Sequence, residues 1–254
     1  EELATEKGMD LSLCQCRSCG LVQFDTEAVP YYKDVIRAGG GSSTMKALRE
    51  EEYQKLLSFL AKKKEKTPLI LELGAGAGEF LDMWSGVESG ADTSSDVNSV
   101  TSPDTSSGTS LSMGAKRSQK LEPYVLGMQF NFLEHQPNPG EMLSFAYEHL
   151  KMGGYFLLTV PSFQYILDHR SYYELLRDHI ANYSEESLLS LVQDQGFSLV
   201  ESRVINRDTI EFLLEKREKE SCTTFRSLGQ KVDIKPILEN EKAIQEDIQK
   251  HLEG

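Results

Sequence analysis

The alternation of apolar and polar positions divides the chain into strand-length and helix-length runs. Residues 44–66 predict a helix: Met45, Leu48, Tyr53, Leu56, Leu57 and Leu60 form an apolar stripe at helical spacing, and Lys62-Lys63-Lys64 places positive charge in the last turn. Pro68-Leu69-Ile70-Leu71-Glu72-Leu73 is a short, buried-strand pattern, followed at once by glycines and a new helical stripe of Phe80, Leu81 and Trp84. Tyr124–Phe130 reads as a strand, 139–151 as a helix stopped by Gly153-Gly154, and Tyr155–Val160 as a second strand. Ser184 is placed to cap a helix that Gly196 ends. Phe197–Val204 and Thr209–Leu214 are β-rich runs that Asn206-Arg207-Asp208 joins as a hairpin. Ile237, Ile244, Ile248 and Leu252 predict a terminal helix with one face to dock. Near the start, Gly20–Phe24 is a short strand-like run.

Strand, glycine loop, helix, strand, helix, strand, helix and hairpin in that order predict an α/β fold. Its sheet is mostly parallel with a C-terminal antiparallel hairpin, and a small Cys-containing segment precedes it. The expected division is a small Cys-containing segment over 1–30, a helical connector over 31–66, the main α/β domain over 67–217 and a helical tail over 218–254. Within the domain, residues 85–118 carry 11 Ser and 4 Thr in 34 positions without periodicity, the composition of a disordered loop.

Charge narrows the class. Lys+Arg 27 against Asp+Glu 40 gives a net charge of −13, which argues against a nucleic-acid or anionic-membrane binder. No run approaches the ~20 apolar residues of a membrane span, and the opening residues are polar and acidic, so no secretory leader is expected. Cys14, Cys16 and Cys19 are crowded into six positions, which suits a metal site or reduced thiols better than a disulfide framework and points to the cytoplasm.

The strongest chemical signal is Leu71-Glu72-Leu73-Gly74-Ala75-Gly76-Ala77-Gly78. A strand ending in Gly-x-Gly-x-Gly and opening a helix lets a ligand approach bare backbone near free N–H groups. The spacing is one residue shorter than the dinucleotide fingerprint, and no Lys-Ser/Thr follows, so a P-loop is excluded. Taken alone, the motif also suits a glycine-rich turn in other α/β proteins.

With its acid one residue before the last apolar position of the strand, this motif resembles the first motif of the class I S-adenosylmethionine (SAM)-dependent methyltransferases. Phe130-Asn131-Phe132-Leu133-Glu134-His135, Pro137-Asn138-Pro139 and Leu150-Lys151-Met152-Gly153-Gly154 resemble the same superfamily after its fourth strand. Val160-Pro161-Ser162-Phe163, Asp178-His179, Tyr183-Ser184 and Gly196-Phe197 look like the branch that C-methylates nucleotide-linked keto-sugars. Cys16-Arg17-Ser18-Cys19-Gly20-Leu21-Val22-Gln23 is similar to the end of that branch's N-terminal zinc knuckle. Where the branch has Tyr and His before the matching His179, this chain has Leu176 and Arg177.

The resemblance implies SAM as cofactor, held by Glu72, Gly74, Ala75, Gly76, Gly78, Glu88, Asn131 and His135, with Asp92 second to Glu88 for the ribose hydroxyls. It implies zinc as a second ligand, on Cys14, Cys16 and Cys19, with unmetallated thiols the alternative. It implies a small-molecule acceptor such as a nucleotide-linked sugar. Carbon methylation needs a base for the proton beside a carbonyl, for which His179 is the candidate, and a donor for the enolate, for which Tyr183 or Tyr32 is. The stretch 163–183 would wall the acceptor site. The alternatives are an O- or N-methyltransferase, which needs no enolising base, and an inactive methyltransferase fold serving as an interaction module. The terminal helix is the expected surface for an oligomer.

Overall fold

In the computed structural model, residues 11–29, 42–62, 70–74, 80, 83, 124–219 and 231–253 are described. The segments 85–118 and 31–41, with Tyr32, Ala75, Gly76, Gly78, Trp84, Glu88 and Asp92, lie outside them. Two short strands, β1 (Leu13–Gln15) and β2 (Val22–Phe24), precede helix α1 (Ser43–Lys62) and strand β3 (Ile70–Leu73). Then follow β4 (Tyr124–Phe130), a 3-10 turn (Leu133–His135), α2 (Pro139–His149), β5 (Leu150–Pro161) and α3 (Phe163–His169). A second 3-10 turn (Tyr172–Glu174), β6 (Ala181–Asn182), α4 (Glu185–Asp194), β7 (Phe197–Ile205), β8 (Thr209–Lys216) and α5 (Lys235–Glu253) complete the order.

The main sheet runs β3-β4-β5-β8-β7. β3, β4 and β5 pair in parallel, while β8 lies antiparallel to both β5 and β7. The hairpin therefore does not simply extend the sheet: its second strand inserts between β5 and β7, leaving β7 outside. Asn206 and Arg207 carry φ of 49° and 75°, the left-handed pair that a tight hairpin turn requires.

Strand alternation sends side chains to two apolar layers. Phe156, Leu158 and Val160 of β5 pack with Leu143 and Ala146 of α2 and Leu188 and Val192 of α4. Tyr155 and Leu157 pack on the opposite layer with Tyr53, Leu56 and Leu60 of α1. Helix α1 thus covers one face and α2 with α4 the other, the arrangement expected of an α/β sheet.

Two sequence expectations are corrected. The helix over 139–151 ends at His149, before the predicted glycine stop. Strand β5 begins at Leu150 and carries Gly153-Gly154 inside it. Gly153 has φ 72°, and a Cβ on Gly154 would sit 2.9 Å from the Lys151 carbonyl oxygen, so these glycines serve a strand irregularity rather than a helix end. The terminal helix docks through its N-terminal part: Ile237 is fully buried against Phe163 and Ile166 and Asn240 Nδ2 donates to the Arg170 carbonyl at 2.9 Å, whereas Ile248 is exposed.

Other local readings hold. Ser184 accepts from the Ser187 N–H while the Ser187 hydroxyl accepts from the Ser184 N–H, a reciprocal cap at the start of α4. Gly196 ends that helix with φ 95°.

The N-terminal strands form a separate antiparallel sheet, β1-β2-β6. It ties residues near the cysteines to the segment after β5, since Val22 pairs with Asn182 and Gln23 with Ala181.

Candidate active site

In open α/β sheets, ligands bind beyond the carboxyl ends of the parallel strands. Three such ends lie side by side here. β3 pairs with β4 up to Leu73 opposite Gln129, and β4 with β5 up to Phe130 opposite Thr159. The chain then turns sharply at both β3 and β4: Gly74 has φ 71° and Asn131 φ 44°. At Gly74 only glycine fits, because a Cβ there would stand 2.5 Å from Cγ of Phe132. Asn131 is pinned by its side chain, whose Oδ1 accepts from the Thr159 hydroxyl at 2.8 Å. Glu72 is buried at the end of β3.

These features fit SAM. The cofactor carries a sulfonium and an ammonium, for which a buried carboxylate such as Glu72 is a complementary charge. Of the implied holders, Glu72, Gly74, Asn131 and His135 are among the described residues.

A cavity of about 190 Å³ opens next to Asn131. Pro161 and Ser162 from the end of β5, Tyr165 of α3, Arg49 of α1 and His179 contribute to its wall. The segment 163–183 therefore does form one side of it, through Tyr165, Ile166, Glu174 and His179.

His179 is half-buried in the turn that leads into β6. Its ring meets the edge of His135, with centroids 4.8 Å apart and planes at 72°. Burial, helped by the His135 ring, pushes His179 down to about 4 against the opposing pull of Asp178. It is a neutral imidazole at physiological pH, the form that can accept a proton.

His135 stands behind His179 and not on the cavity wall, and is 3% exposed. Its Nδ1 donates to the Asp178 carbonyl at 2.8 Å, which fixes Nε2 as its acceptor nitrogen. Burial pushes its pKa down as well. Glu134, next to it, is enclosed, and burial pushes its carboxyl up to about 8.

Tyr183 is placed differently from the sequence expectation of a donor to the acceptor. It is fully buried in the main core, does not line the cavity, and its hydroxyl has no hydrogen-bond partner. Burial pushes the phenol upward.

Among the cysteines, Cys14 and Cys16 are exposed and Cys19 is partly covered. The Gly20 N–H donates to the Cys16 carbonyl at 3.0 Å, which closes the turn between them. Backbone N–H groups of Cys19 and Ser18 draw the Cys16 thiol below its ordinary value, while burial raises Cys19.

Sequence reasoning missed a charged cluster that reaches the cavity through Arg49. Arg49 pairs with Glu52, and Arg203 of β7 pairs with Glu211 of β8, with Arg203 Nη2 3.7 Å from Glu52 Oε1. The Arg49 guanidinium lies 3.8 Å from the centre of the Phe130 ring. No local signal marks these residues, which come from two distant parts of the chain, α1 and the β7–β8 hairpin; only the apolar stripe of α1, interrupted by Arg49 and Glu52, hints at them.

The family model for a methyltransferase domain matches residues 45–202. No curated protein matches the chain in sequence. Among solved structures, the chain is similar to a protein of Pyrococcus horikoshii OT3, at 13% identity and a TM-score of 0.47, covering 75% of this chain and 100% of that one. It is also similar to magnesium protoporphyrin IX methyltransferase from Synechocystis PCC 6803 with bound SAH, at 11% identity and a TM-score of 0.46, covering 73% and 96%. A SAM-dependent methyltransferase from Clostridium acetobutylicum ATCC 824 aligns at 10% identity and a TM-score of 0.43, covering 74% and 96%. No helix among the described residues is long and apolar enough to cross a membrane. With more than half of its length matched by the methyltransferase-domain family, the chain belongs to it, as a class I SAM-dependent methyltransferase.

Proposed function

We propose that this enzyme methylates carbon in a small molecule that carries an enolisable carbonyl, a nucleotide-linked keto-sugar being the first candidate. The reading rests on one observation: the His179 imidazole lies on the wall of the cavity that Asn131 borders at the carboxyl end of β4. O- or N-methylation needs chiefly alignment and exclusion of water. A positioned proton acceptor is the additional part that a carbon nucleophile demands.

When bound, SAM supplies an electrophilic methyl group. The chain's own contribution is the rest. His179 takes the proton from the carbon beside the carbonyl, and the electron pair moves onto the carbonyl oxygen. His135, held in one tautomer by the Asp178 carbonyl, packs against the His179 ring and limits its rotation. Glu72, Gly74, Ala75, Gly76, Gly78, Glu88 and Asn131 are the proposed cofactor side. Tyr32 is the proposed enolate donor, since Tyr183 is enclosed in the core. Cys14, Cys16 and Cys19 are the proposed zinc thiolates, and the cytoplasm the proposed site of action.

The test incubates the full chain with SAM bearing a deuterated methyl group and a panel of keto-sugar nucleotides and simple ketones. Release of S-adenosylhomocysteine, with the label on carbon in the product, supports the reading. Label on oxygen or nitrogen with no exchange of the acceptor's α-proton selects the other enzyme class. Absence of SAM binding in calorimetry selects an interaction module.

A further inference from the structure

Among the described residues, one group of potential metal ligands stands out: Glu134, His135 and His179, whose ligating atoms all lie within 4.8 Å of one another. We propose that these three side chains form a site for one divalent ion of the zinc class, and that its occupation silences the active-site imidazole. The second part rests on the reading of His179 as base; the first does not.

The group has the parts of a metal site. Nδ1 of His135 donates to a backbone carbonyl, that of Asp178, at 2.8 Å. This is the outer hydrogen bond that orients metal-bound histidines and turns Nε2 toward the ion. Nε2 lies 3.8 Å from Glu134 Oε1. Zinc bonds of about 2.0–2.2 Å place tetrahedral ligand atoms about 3.3–3.6 Å apart, so this pair needs only a slight contraction. The remaining separations are no wider than 4.8 Å, and a small shift of the turn that carries His179, which is not bound into a helix or strand, closes them.

Glu134 provides the independent sign. It is 1% exposed, and its Oε2 has no hydrogen-bond partner among the described residues. A buried carboxylate oxygen left unsatisfied is costly, and a cation among these ligands would satisfy it. Two His and one Glu give three protein ligands. Because His179 borders the cavity, a fourth position would face the acceptor space, the open arrangement that distinguishes exchangeable zinc sites from closed structural ones. The nitrogen lone pair that binds the ion is then unavailable to a substrate proton.

The experiment titrates zinc into the full chain with Cys14, Cys16, Cys19 and Cys222 replaced by Ser, so that thiolates cannot contribute. The expected result is one equivalent bound, weakened by about 100-fold or more in Glu134→Gln and His179→Gln. Zinc should also abolish turnover in proportion to occupancy, with recovery on chelation. Cobalt added to the wild-type chain gives a second reading independent of the Cys variant: d–d bands of nitrogen and oxygen ligation are expected, and their loss in Glu134→Gln. No bound ion, or binding by both ligand variants as tight as that of the parent chain, overturns the site. Binding that leaves turnover unchanged overturns the silencing and removes His179 as base, while a chain that binds zinc as expected but transfers no methyl group contradicts the functional reading alone.

Discussion

His135 and His179 meet edge to face at 4.8 Å, and only His179 reaches the cavity. Forty-four positions separate them in sequence, yet each defines the other's state: His135 helps to keep its neighbour neutral, and His179 covers His135 from the cavity side. A pair of imidazoles with one tautomer fixed by a carbonyl is a proton acceptor backed by a rigid support.

Replacement of His179 by Ala should lower turnover by roughly 10²–10⁴ if proton removal is in the slow step. SAM affinity, measured by calorimetry, should stay near the wild-type value. Exchange of the acceptor's α-proton with deuterated solvent should disappear. Persistent exchange with unchanged turnover would make His179 structural.

Gly74→Ala tests the turn after β3. The added Cβ would meet Phe132 at 2.5 Å, at a φ of 71° that side chains adopt only under strain. The expected loss is about 1–3 kcal/mol of stability, read as a lower Tm, with weaker SAM binding. The same substitution at Gly127 is a control for crowding without strain, since its Cβ would meet only the side chains of Phe156 and Leu150 and its φ is not left-handed.

Glu52 predicts a pH dependence of stability. Burial, with the neighbouring Glu211, pushes it up from 4.5 to about 8 despite Arg49. Burial also works to raise Glu211, but hydrogen bonds from Glu52 and Arg203 hold it low. One proton is therefore retained on Glu52 in the folded chain where the unfolded chain has released it. Between pH 4.5 and about 8 the native state binds more protons, so this contribution to stability declines as pH rises through that window. Glu52→Gln mimics the protonated form. Denaturant midpoints of the variant should fall less from pH 6 to pH 9 than those of the wild type; parallel curves would refute the assignment.

Ser184→Ala removes the side-chain acceptor that receives the Ser187 N–H at 3.2 Å. A cost of about 1 kcal/mol is expected from urea melts, with turnover little changed at saturating substrate.

The sequence by itself determined the elements whose signals are local. Ser184 and Gly196 bound a helix because caps act within one turn. Asn206-Arg207-Asp208 makes a hairpin because the turn needs only its own residues. Ile70–Leu73 and Gly74 announce a buried strand end because a left-handed turn there demands glycine. What only the tertiary structure decided depends on contacts across the chain. Whether β8 sits outside β7 or between β5 and β7 is a question of which backbone edges satisfy each other, which periodicity does not encode. The role of Gly153-Gly154 turned on the approach of the Lys151 and Val125 carbonyls, so a composition that stops helices elsewhere serves a strand here. Tyr183 and His179 carry similar motif credentials four residues apart, but β6 directs one into the core while the preceding turn leaves the other on the cavity wall. Burial fixes proton affinity, and burial is a property of the packed chain: the neutrality of His179 and the enclosure of Glu134 arise only when β4, the 3-10 turn after it and the segment before β6 come together.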